Sequence, residues 1–63
     1  MQNYIYSVNH PFGKFVYICL ADNLFEATKT VKAMAGEVAE IIEISESEAQ
    51  ELINKDGYKL FFA

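Results

Sequence analysis

The chain has 63 residues, with five Lys and no Arg against nine Asp plus Glu, for a net charge of −4. That length allows one domain, and the 52% hydrophobic and 14% aromatic content excludes a disordered chain. A single Cys excludes an internal disulfide, and one Cys with one His cannot assemble a standard structural zinc site, so a packed core or a partner subunit must supply the stability.

Tyr4-Ile5-Tyr6-Ser7-Val8 has the β-branched and aromatic composition of a strand. Asn9-His10-Pro11-Phe12-Gly13 carries three turn-forming residue types and reads as a loop, so the two flanking strands form an antiparallel hairpin over residues 4–21. Its second strand, Lys14-Phe15-Val16-Tyr17-Ile18-Cys19-Leu20-Ala21, is apolar on both alternating faces, the pattern of a strand buried on two sides. Asp22 or Asn23 caps a helix over 23–35, and Asn23 with Glu26 three residues on makes a capping-box-like pair. The helix's apolar positions Leu24, Ala27, Val31, Met34 and Ala35 recur at helical spacing, and Gly36 stops it. Residues 38–44 read as a strand whose glutamates mark a sheet edge. Ser45 and Glu48 form a capping box for a short helix over 46–55, with Lys55 and Gly57 in the order that favours a helix end. Residues 58–62 complete the chain as a last strand.

The expected fold is therefore a small two-layer α+β domain of order ββαβαβ. Its sheet is mostly antiparallel, of three or four strands, with one main and one short helix packed on one face. If Val16, Ile18 and Leu20 turn towards the helices, Tyr4, Tyr6, Phe15, Tyr17 and Phe61 form the other face and are expected to be an interface.

Composition points away from catalysis, metals and cofactors. The single possible nucleophile–base pair, Cys19 with His10, joins a thiol in an apolar strand to a turn histidine, and burial suppresses thiol reactivity. No phosphate loop or hydrolase elbow is present, and the carboxylates lack the spacing of a cation loop, so no catalytic, metal or cofactor residue is expected. Glu37, Glu40, Glu43, Glu46 and Glu48 instead make an acidic stripe suited to a basic partner or to solubility alone. The absence of Arg and the negative net charge count against nucleic-acid binding. The longest apolar run, from Phe15 to Ala21, is too short for a bilayer, which takes about 20 residues. With no basic segment ahead of an apolar one at the start and one unpaired thiol, the expected compartment is the cytoplasm.

The hairpin–helix–strand order, with Ala21-Asp22-Asn23 leading into a helix that carries Glu26-Ala27, is similar to that of many short proteins of phages and mobile elements. The resemblance assigns no residue a role; small size, acidity and the absence of catalytic groups are what point to a phage-encoded antagonist of a host protein as one form of the function. The functional expectation is a non-enzymatic protein-interaction module, an acidic inhibitor or adaptor that binds a partner protein or forms a homodimer. The alternative is a nucleic-acid-linked protein, either a single-strand binder using its aromatic face or an acidic mimic.

Overall fold

In the computed structural model, which describes all 63 residues, Pro11 and Phe12 alone turn the chain between β1 (Gln2–His10) and β2 (Gly13–Ala21). The expected five-residue loop is shorter because Asn9 pairs with Lys14 and His10 with Gly13, so the antiparallel register runs from Gln2↔Ala21 to the turn itself. Proline fixes the backbone of the first turn residue, and the Phe12 N–H donates to His10 Nδ1 at 3.1 Å.

The helix α1 (Leu24–Ala35) starts where Asn23 Oδ1 accepts the Glu26 N–H at 2.9 Å, and ends at Gly36 (φ 89°), whose N–H donates to the Lys32 carbonyl. The strand expected over 38–44 is trimmed to β3 (Glu40–Glu43), because the Ala39 N–H turns back to the Gly36 carbonyl and leaves Val38 exposed. Ser45 Oγ then accepts the Glu48 N–H at 3.2 Å and opens α2 (Glu46–Lys55). Past Asp56, Gly57 at φ 73° lets Tyr58 return its N–H to the Leu52 carbonyl. That bond delays the last strand by one residue, to β4 (Lys59–Phe62).

These elements make the small α+β domain that the sequence indicates, but the helices do not share a face. The sheet order is β3-β1-β2-β4, with β1 antiparallel to both β2 and β3, and β4 parallel to β2. The strands β2, β3 and β4 therefore run the same way, and each helix is a crossover between parallel strands. The first crossover steps past β1 from β2 to β3, and the second returns from β3 to β4. Right-handed crossovers that step in opposite directions must lie on opposite faces of the sheet.

Burial agrees. Tyr6, Val8, Tyr17, Cys19 and Ala21 pack with Ala27, Val31 and Ala35 of α1 in one cluster. Val16 is 0% exposed, and Ser7 and Ala49 are also buried, yet none of the three belongs to that cluster. Strand alternation points Ser7 and Val16 to the other face, where α2 covers them. The domain has three layers, with the sheet in the middle.

Candidate protein-interaction site

Tyr4, Tyr6, Phe15, Tyr17 and Phe61 do share one face, since Tyr6 pairs with Tyr17, Tyr4 with Cys19, and Phe61 with Tyr17. That face is the one beneath α1. Tyr6 is 2% exposed and Tyr17 7%, so these two are core, while Tyr4 and Phe15 are half-buried and Phe61 stays 39% exposed at the rim of the face. Size decides the matter. The buried stripe of α1 is Ala27, Val31 and Ala35, which leaves depth for tyrosine and phenylalanine rings below it. Opposite, Ala49 of α2 closes over the small pair Ser7 and Val16.

The rings pack by edges and offsets. Phe15 and Tyr17 are T-shaped at 6.1 Å, and Tyr17 and Phe61 lie 4.8 Å apart at 30°. The Tyr6 hydroxyl bonds Thr28 Oγ1 at 2.9 Å. Burial raises the Tyr6 pKa above 10.0, the Thr28 bond opposes that rise, and the nearby Glu43 charge adds to it. Tyr6 and Tyr17 are buried, so neither ring is open for a base to stack on.

The acidic residues are exposed but do not form one stripe. Glu40 pairs with Asn9 and Glu43 with Tyr6, positions on opposite sheet faces, because three residues along a strand reverse the side chain. Glu37 lies in the turn before β3, and Glu46 and Glu48 stand in the first turn of α2. Acid thus surrounds the β3 edge on all sides. No group of three or more His, Cys, Asp and Glu is close enough to hold a metal ion.

Cys19 is buried opposite Tyr4, and His10 lies at the hairpin end opposite Gly13. Gly13 and Cys19 are six positions apart along β2, a distance of about 20 Å, so thiol and imidazole do not meet.

Phe12 in the hairpin turn, Phe25 and Met34 on α1 and Val38 before β3 are exposed singly, whereas on the α2 side exposed apolar residues gather beside a sheet edge. The short α2 covers Val16, but further along the same face Leu20 is 55% exposed, Leu60 47% and Phe62 69%. The parallel register sets Leu60 beside Val16 and Phe62 beside Ile18, with Leu20 two residues further along β2 and diagonal to Phe62. They flank an open sheet edge, since β4 has a neighbour on one side only. The Ala63 N–H donates to the Ile18 carbonyl at 2.9 Å. Strand alternation then turns the polar groups of Phe61 inward as well, and those of Leu60 and Phe62 outward. Lys59 is the single charged residue of β4. The hairpin anchors the start of this strand, where Tyr58 Oη donates to Asn9 Oδ1 at 2.9 Å and Lys14 Nζ stands 5.8 Å from the Tyr58 ring centre.

Leu60 and Phe62 were not among the residues the sequence singled out, and Leu20, expected to turn towards the helices, is left uncovered because α2 is too short to reach it. The signal for the first two was the parity of β4, which places Leu60 and Phe62 on the face opposite Phe61. Neither family models, nor curated proteins, nor solved structures match this chain. No helix is long and apolar enough to cross a membrane.

Proposed function

We propose that this protein is a non-enzymatic interaction module, a small acidic adaptor or inhibitor, which captures an extended protein segment along β4. The observation that carries this reading is the open β4 edge, with outward main-chain groups at Leu60 and Phe62 beside exposed Leu20, Leu60 and Phe62. An extended segment added to such an edge takes affinity from main-chain hydrogen bonds and specificity from its alternate side chains. Exposed edges are otherwise blunted by charge, as Glu40 and Glu43 blunt β3, whereas β4 carries Lys59 alone. The remaining acid keeps a chain with this much exposed apolar surface in solution.

Selecting ligands from a random displayed peptide library tests the reading without knowledge of the partner. Selected peptides are expected to alternate apolar residues and to lose about tenfold or more in affinity for the Leu20→Asp, Phe62→Asp double variant. Equal affinity for that variant, with its fold intact by circular dichroism, contradicts the assignment.

A further inference from the structure

We infer that the segment captured by β4 is β4 of a second copy of this chain, in a two-fold antiparallel pairing with Phe61 opposite Phe61 of the other copy. The inference rests on the docking reading of β4 and adds to it the partner and the register.

Residues that oppose each other in an antiparallel pair point to the same face of the sheet. For two identical strands about a two-fold axis normal to the sheet, this allows self-opposition at Leu60, at Phe61 or at Phe62. Hydrogen bonds pass only between residues whose main-chain groups face outward, here Leu60 and Phe62, because Ala63 and Phe61 are turned towards β2. With Phe61 opposite itself, Leu60 of each copy opposes Phe62 of the other, and both outward residues on both copies are satisfied. With Leu60 opposite itself, Phe62 falls opposite Tyr58, whose N–H is already committed to the Leu52 carbonyl. With Phe62 opposite itself, Leu60 lies beyond the other copy's β4 strand. One register uses everything the edge offers.

The side chains and charges fit that same register. On the α1 face, Phe61 meets its mate and extends the ring cluster of Phe15 and Tyr17 across the axis. On the α2 face, Leu60 lies beside Phe62 of the second copy, joining the exposed strips that include Leu20 into one apolar surface. Each Lys59 opposes Ala63, so the two lysines stand at opposite ends of the pairing. The acidic β3 edge is three strand spacings away, about 14 Å, so two chains of net charge −4 meet where acid is sparsest. The pairing is closed, and each copy uses its apolar edge once, so the assembly stops at a dimer.

The full-length chain carrying Phe61→Cys tests the register. Two opposed residues that exchange no hydrogen bonds lie about 4.5 Å apart at Cα, within disulfide reach, whereas Leu60 sits diagonally from its own mate and beyond it. Under oxidised glutathione, which takes the two electrons released as two thiols join, Phe61→Cys is expected to link into a dimer. Leu60→Cys and the wild-type chain, whose Cys19 is buried, are expected not to link. Light scattering on the unlinked wild-type chain is expected to give twice 7.2 kDa. Leu60→Pro, which removes an outward N–H that the chain's own sheet does not use, is expected to return the mass to 7.2 kDa with the circular dichroism retained. A wild-type monomer at every soluble concentration, or Leu60→Cys linking as readily as Phe61→Cys, overturns the pairing. If peptides selected on β4 still bind in that event, the docking reading stands while the self-pairing fails. If neither binds, both fail.

Discussion

Tyr6 shows how one residue serves the core and sets a limit on it. Its ring lies beneath α1 and its hydroxyl is shared with Thr28. Tyr6→Phe is expected to lose about 0.5–1.5 kcal/mol of stability, read from denaturant unfolding. Burial raises the Tyr6 pKa above 10.0, so the folded state holds this proton at pH values where the unfolded chain releases it. The stability tied to that proton is fully present below pH 10 and is lost as pH rises through the folded pKa. Melting temperatures from pH 8 to 11 are expected to fall less steeply for Tyr6→Phe than for the wild type. Parallel slopes would mean that Tyr6 ionises as freely as a surface tyrosine. Val16 and Val31 report on the two cores separately, since they are fully buried on opposite sides of the sheet. Each valine changed to Ala is expected to lose about 2–3 kcal/mol. Because the two sites lie on opposite faces of the sheet, the double variant is expected to show the sum within about 0.5 kcal/mol. A markedly smaller sum would place both valines in one core and contradict the three-layer arrangement.

At the scale of elements, α2 is the weak member. It buries only Ala49 fully, with Leu52 and Ile53 half-buried, and so depends on its ends. Ser45→Ala is expected to lose about 1 kcal/mol, and Gly57→Ala a similar amount, because a Cβ at φ 73° is strained whatever space surrounds it. Native-state hydrogen exchange is expected to show α2 opening well before β1 and β2. Equal protection throughout would show that α2 is held by more than its caps and one alanine. These caps were legible in the sequence because they are local: Asn23 with Glu26, Ser45 with Glu48, and Gly36 and Gly57 all act where they were expected. The start of β3 was not legible, since Val38 has strand composition but is carried through a turn. Nor was the direction of β4, which depends on where a ten-residue helix delivers the chain. That direction decides which face receives which helix. Alternation correctly grouped Tyr4, Tyr6, Phe15, Tyr17 and Phe61, yet nothing in alternation says which side of the sheet is covered by the larger helix. The small stripe of Ala27, Val31 and Ala35 held the answer, because large rings need small residues above them.

For the molecule as a whole, the sequence indicated more apolar surface than two helices of this size can cover, and the structure moves that surplus. Its one grouped part lies where α2 ends short of Leu20 and where β4 has no outer neighbour, while Phe12, Phe25, Met34 and Val38 are exposed apart from it. The acidic residues gather at the opposite edge, so the two edges differ in character: one repels strand addition and the other invites it. The most direct measurement is the exchange of individual main-chain amides in β4, followed by NMR as the chain is diluted or mixed with a selected peptide. The amides of Phe61 and Ala63, bonded inward to β2, are expected to be protected at all concentrations. Those of Leu60 and Phe62 are expected to exchange freely in the dilute monomer and to become protected on association. Association that leaves the Leu60 and Phe62 amides exchanging freely would contradict β4 as the docking strand.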